Sequence, residues 1–249
     1  MRQVVFFVPV FVSILFICGC DTKKQDQVVA DQLVTDARES QSEFDTKVRE
    51  QLDSGEGISP DIEHVDQIAD MIEQAAANSS SDQSQVLLDQ AETLRKVQAI
   101  VTPYQTAMEE LTKLGGLDPT TINELEQFDR RIELVEELGR LNEIMDENLP
   151  ALIRKLDQDA GADEIELKID LIKQIRQTDR ESFQSMNGYL LILQQLWGQY
   201  GIDTDGSIMF SPDVEDELIQ KFNVFADHIQ KMTAEQARLQ RVLIDLDSP

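Results

Sequence analysis

The sequence predicts an all-α protein, an elongated bundle of about six or seven long antiparallel helices with coiled-coil-like packing. Three observations carry this. Apolar residues recur three and four apart through almost all of residues 28–249, starts built on Ser-Pro-Asp or Asp-Pro punctuate the pattern, and the last segment keeps a heptad stripe. Of the 249 residues 41% are hydrophobic and 28% charged, enough apolar surface for a core and too little for a set of membrane spans.

After a polar stretch to about residue 27, Val29, Leu33, Ala37, Phe44, Val48 and Leu52 give a first, rather polar helix that Ser54-Gly55-Glu56-Gly57 interrupts. Ser59-Pro60-Asp61 then supplies a hydroxyl cap, a proline whose missing N–H is harmless in the first turn, and an acid near the positive end of the dipole. The stripe that follows is Ile62, Val65, Ile68, Ala69 and Ile72. A third helix carries Leu87, Ala91, Leu94, Val97, Val101, Tyr104, Met108 and Leu111; Pro103 should kink it and Gly115-Gly116 stop it. Asp118-Pro119 opens a fourth, with Leu125, Phe128, Ile132, Val135, Leu138, Met145 and Leu149, which Pro150 bends or restarts. Beyond Asp159-Ala160-Gly161 a fifth is expected from about Asp163 to Tyr200. The last begins at Ser211-Pro212-Asp213 and spaces Phe222, Phe225, Ile229, Met232, Gln236, Leu239, Leu243 and Leu246 as heptads. Helices of about thirty residues span roughly 45 Å, which is why an elongated bundle is expected. The likeness of the two Ser-Pro-Asp starts reflects shared capping chemistry rather than duplication.

Arg2 and the fourteen-residue run Val4–Ile17 read as a signal sequence over residues 1–19, because a helix of that length rises only about 21 Å against a hydrocarbon core of about 30 Å. Ile17-Cys18-Gly19-Cys20 resembles the lipobox of bacterial lipoproteins, with Cys18 at the position more often held by a small hydroxyl residue or Ala. The resemblance implies cleavage before Cys20 and a diacylglycerol on its sulfur, usually with a third acyl chain on the new amino group; multiple chains hold a protein where one binds only marginally. Asp21 resembles the inner-membrane retention signal of enterobacterial lipoproteins. The expected address is therefore the periplasmic face of a bacterial inner membrane. Residues 20–27 would be the lipidated tether, with Lys23 and Lys24 near the headgroups, and 28–249 the bundle, with a candidate sub-boundary near 158–163. Cleavage and lipidation leave no free thiol, which excludes cysteine catalysis and thiolate metal sites.

With 22 Lys+Arg against 48 Asp+Glu, the net charge of −26 excludes polyanion binding, so no nucleic-acid partner is expected. Chemistry-bearing motifs are sparse. His64 and His228 stand beside acids but in no zinc-helix or carboxylate-bundle spacing, and read as surface imidazoles. Asp203-Thr204-Asp205-Gly206-Ser207-Ile208 resembles the middle of an EF-hand, yet Gly201 and Pro212 fall where the first Asp and last Glu should stand. Asp203 and Asp205 are thus weak Ca²⁺ candidates, and a plain turn between two helices is the better reading.

Seven of the ten aromatic residues after the signal lie between positions 183 and 225. Trp197, Tyr200, Phe210, Phe222 and Phe225, with Gly188, Gly198 and Gly201 nearby, could form a binding face, though filling the end of a hairpin core is the stronger expectation. The stripe break at Arg176-Gln177-Thr178-Asp179-Arg180-Glu181 is expected to be solvated rather than a buried ionic clasp. No phosphate loop, nucleophile elbow or nucleophile–His spacing occurs, so no cofactor and no enzymatic activity are expected. The function expected is a non-enzymatic protein-interaction or scaffold module on a lipid anchor, with a basic or helical protein partner and with self-association open to the last helix. The alternative is a ligand- or cation-binding lipoprotein that uses the aromatic end and the Asp203/Asp205 turn.

Overall fold

The computed structural model describes residues 25–54, 62–156, 161–204 and 207–246. The signal sequence, Cys20, Asp21, Lys23, Lys24, the Ser59-Pro60-Asp61 start, and Asp205 with Gly206 lie outside the described residues. Six helices pack sequentially antiparallel and account for 84% of what is described. They are α1 (Gln25–Ser54), α2 (Ile62–Ala77), α3 (Ser81–Lys113), α4 (Glu126–Leu156), α5 (Ala162–Gln195) and α6 (Asp216–Leu246); strands β1 (Tyr200–Ile202) and β2 (Ile208–Phe210) stand between the last two.

The chain divides into two compact units. One is built from 103–143 and 174–239: the C-terminal part of α3, the first part of α4, most of α5, the strands and most of α6. The other gathers α1, α2 and the remaining segments of α3 to α6. Residues 144–173 fall within that second unit.

In the second unit α1 packs on α2. The buried stripe of α1 runs through Ala30, Val34 and Ala37, one position on from the expected Val29 and Leu33, and Val29 is 47% exposed. Small residues at 30 and 37 let the helix approach closely, and this overrides the larger side chains at 29 and 33. Arg95 of α3 reaches Asp66, Asp70 and Glu73 on one face of α2, at 3.6, 2.7 and 2.9 Å.

In the first unit α3 ends in a Schellman motif, with Gly116 N–H donating to the Leu111 carbonyl and Gly115 N–H to that of Thr112, both at 2.8 Å. Gly115 has φ +91°, and a Cβ there would strike Thr121. Asp118-Pro119 does not open α4 as expected. It caps a separate 3₁₀ turn, Pro119–Thr121, in which the Asp118 carboxylate accepts the Thr120 N–H. The start of α4 is fixed instead by Gln127, whose side-chain oxygen accepts the N–H groups of Asn123 and Glu124. Pro103 and Pro150 lie inside continuous helices.

Two further boundaries differ from the spacing-based reading. Helix α5 stops at Gln195 rather than near Tyr200, since Gly198 turns the chain at φ +80° into β1. Ser211-Pro212-Asp213 forms a turn, closed by Val214 N–H to the Ser211 carbonyl, and α6 begins only at Asp216. The heptad stripe of α6 is otherwise as expected: Phe222, Ile229, Met232, Gln236, Leu239 and Leu243 are all buried in the chain's own core. Val224 and Val242 are its outward apolar residues.

Candidate functional site

The segment Asp203–Ile208 joins two strands, not two helices. β1 and β2 pair antiparallel, Tyr200 with Phe210 and Ile202 with Ile208, and the ladder continues through Asp203 N–H to the Ser207 carbonyl. The Asp203 carboxylate accepts the Ser207 N–H at 2.9 Å. It thus serves the turn, on a two-stranded scaffold unlike the helix-flanked loop of an EF-hand. Among the described residues no three His, Asp or Glu side chains converge as a metal site.

Alternation along the strands puts Tyr200, Ile202, Ile208 and Phe210 on one half-buried face and leaves Met209 61% exposed on the other. The inner face meets the aromatic residues of α4 to α6. Phe210 packs edge-on against Phe222 at 5.1 Å, and Phe222 lies tilted by 32° against Tyr189 at 4.8 Å. Phe222, at 4% exposure, is a core residue. Phe225 is half-buried because Gly188 of α5 makes room for it: a Cβ at 188 would come within 2.5 Å of the ring.

Trp197 and Tyr200 take a different role. Trp197 stacks edge-on against Phe128 at 5.5 Å and Tyr200 at 6.2 Å, yet remains 36% exposed. Beside it a cleft of about 420 Å³ opens between the 3₁₀ turn and the start of β1. Pro119, Thr120 and Ile122 line one side, and Trp197, Gly198, Tyr200, Gly201 and Ile202 the other. Of the five aromatic residues singled out from the sequence, Trp197 and Tyr200 reach the cleft, Phe222 lies in the core, and Phe210 and Phe225 are half-buried behind the two.

Under the 3₁₀ turn lies a group the sequence reading missed. Arg131 of α4 is 1% exposed, and its Nη2 donates to the Leu114 carbonyl at the end of α3 and, at 2.8 Å, to Thr121 Oγ1. It thereby closes the C-terminal end of α3, where a cation is favoured. Nε and Nη1 of Arg131 and the hydroxyls of Tyr189 and Tyr200 are buried without hydrogen-bond partners. Burial pushes the Arg131 guanidinium below its usual range, opposed by the charges of Asp118 and Tyr200. Burial likewise raises the Tyr200 phenol, against the pull of Arg131. The signal was present in the spacing: Phe128, Arg131, Val135 and Leu138 form one helical stripe.

A second polar group crosses the same unit. Arg176 and Asp179 pair at 3.0 Å, both fully buried, which overturns the expectation of a solvated stretch. Their spacing from Ile172 and Phe183 keeps both on the inner face of α5, and three other helices answer them. Gln236 of α6 donates to Asp179 at 2.7 Å, Asn142 of α4 donates to the Arg176 carbonyl at 2.8 Å, and the guanidinium lies 5.9 Å from the Tyr104 ring of α3. Burial outweighs the Arg176 charge and raises the Asp179 carboxyl to about 7.

His228 contacts Ser185 Oγ through Nδ1 at 2.7 Å, and its Nε2 lies 3.9 Å from Glu181. The trio looks like a nucleophile with its base. The serine is buried in mid-helix, and its hydroxyl also lies 3.1 Å from the Glu181 carbonyl, the i−4 acceptor on its own helix. The side chain of His64 lies outside the described residues.

Comparison with protein families, curated proteins and solved structures found no match to the chain. Among the described residues no helix is long and apolar enough to cross a membrane.

Proposed function

We propose that this chain is a lipid-anchored, non-enzymatic binding module of a bacterial envelope, held at the periplasmic face of the inner membrane through Cys20. The observation that carries the reading is the cleft beside Trp197: an aromatic side chain stays accessible above a packed aromatic core, on a frame of helices and a short hairpin. Exposed aromatic anchors backed by packed neighbours are the usual energetic centre of a binding site. The strong negative charge favours partners with basic surroundings, which would be steered toward the module.

The volume of the cleft also favours the ligand-binding form of this reading, since about 420 Å³ lies in the range of small-molecule sites. The cation form draws no such support, because the Asp203 carboxylate is engaged by its own turn.

Labelling of growing cells with radioactive palmitate, followed by envelope fractionation, tests the anchor. The full chain should incorporate label and sediment with membranes, and Cys20→Ser should lose both. Label or membrane retention unchanged in Cys20→Ser would contradict the lipoprotein reading.

A further inference from the structure

Behind the cleft beside Trp197 lie buried hydrogen-bond donors without acceptors, of which Tyr200 alone belongs to a lining residue. Arg131 is buried to 1% exposure with Nε and Nη1 unpartnered, and the Tyr189 and Tyr200 hydroxyls are unpartnered as well. A buried guanidinium with no carboxylate in direct contact is costly, and capping α3 engages only Nη2, which leaves Nε and Nη1 without acceptors. The donors connect to the cleft through two residues. Thr121, which receives Arg131, sits between the lining residues Thr120 and Ile122, and Tyr200 itself lines the cleft. The remaining lining is largely apolar, from Pro119, Ile122, Trp197 and Ile202.

Resting on the reading of this cleft as the binding site, we propose that it takes a carboxylate carrying an apolar group, whose charge is received by Arg131 with the hydroxyls of Tyr189 and Tyr200 and whose apolar part lies against Trp197. A guanidinium can only donate, so the complementary group is an anionic oxygen rather than a cation or an amide N–H. A single negative charge suits the site better than a phosphate dianion, because the rest of the chain carries a net −26 and repels multiply charged anions more strongly. Two sources present this chemistry, the C-terminus of a polypeptide with an apolar last residue and a free aliphatic acid.

The test uses the detergent-solubilised full chain, with thermal midpoint and the fluorescence of Trp197, its sole tryptophan, as readouts. The probes are N-acetyl-alanyl-leucine and hexanoate, each set against its own amide. The expected result is that at least one acid raises the midpoint and changes the fluorescence in a saturable way, with its amide about tenfold weaker or more. Response to the peptide acid alone assigns a polypeptide terminus, and response to hexanoate alone assigns a free acid; both support the carboxylate site. Tyr200→Phe keeps the ring and removes one unpartnered hydroxyl. It should leave the unliganded midpoint unchanged or higher and weaken acid binding about tenfold. Arg131→Gln should abolish the acid response, and the Tyr200 variant keeps the test decisive where the Arg131 variant fails to fold. Equal response to acid and amide would overturn the carboxylate site while leaving the cleft as a binding site. No response to either acid would overturn the proposal outright, whereas the anchor and the capture of a macromolecule at the cleft are read by separate experiments.

Discussion

Gly188 shows how one missing side chain fixes the aromatic layer. The Phe225 ring occupies the space a Cβ would need, and three ring atoms would lie within 2.8 Å of it. Gly188→Ala should therefore destabilise the protein by about 1–3 kcal/mol through overpacking, even though alanine is the better helix former; an equal or higher urea midpoint would show that the ring moves aside freely. Asp179 makes a different kind of prediction. Its folded-state carboxyl is raised from 3.8 to about 7, so the folded chain holds a proton that the unfolded chain has released. The contribution of this group is fully present below about pH 4 and declines as pH rises toward 7. The charged and titratable groups facing it are Arg176 on its own helix and Tyr104 from α3, with Gln236 as its neutral partner from α6. Asp179→Asn should flatten the fall in stability between pH 4 and pH 7 relative to wild type, by on the order of 2 kcal/mol. Parallel profiles from urea unfolding across that range would contradict it. Both residues stand at regular helical positions. Spacing alone led to the expectation of a solvated stretch at 176–181, because the burial of Arg176 and Asp179 depends on partners at 104, 142 and 236, far away in sequence.

At the scale of elements, the helices were legible because each carries its own apolar stripe, and the stripes of α3 and α6 are buried almost residue for residue. Boundaries were less legible where capping chemistry served a smaller structure. Asp118-Pro119 and Ser211-Pro212-Asp213 are sound turn starters, and in this fold they make a 3₁₀ turn and a loop rather than the first turn of a helix. The hairpin escaped notice because strands of three residues are too short for alternation to register, and the polar turn Asp203–Ser207 reads equally well between helices. The pairing of α2 with α3 depends visibly on charge. Arg95 meets three acids spaced along one face of α2, and its guanidinium is held well above its usual range by hydrogen bonds to Glu73 and Asp70. All four groups are partly exposed, which limits their worth. Arg95→Met should lower stability by about 1 kcal/mol at low salt, as Asp66, Asp70 and Glu73 then repel one another, and the loss should shrink at 0.5 M NaCl. A loss independent of salt would point to packing of the arginine stem instead.

At the scale of the whole molecule, composition and charge set the class while the site came from tertiary placement. The all-α class and the number of helices follow from periodicity, and the resemblance of Ile17-Cys18-Gly19-Cys20 to a lipobox carries the proposed address. The cleft could be anticipated only as an aromatic concentration between positions 183 and 225. Its opposite side, Pro119 to Ile122, lies far back in the sequence, and nothing local marks those residues as its partners. Arg131 was passed over for a related reason, since one cation beside Arg130 looks like part of a solvated face until Leu114 and Thr121, distant in sequence, are brought to it.

The central claim is that the Trp197 cleft is where this module engages its partner or ligand. The most direct measurement is photo-crosslinking in intact cells from a benzophenone amino acid placed at Thr120, which lines the cleft and is exposed, with the same group at exposed Glu147 as control. The account predicts a discrete adduct from position 120 that disappears when Trp197→Ala is added and is absent from position 147. The same products from both positions, or an adduct at 120 indifferent to Trp197, would contradict it.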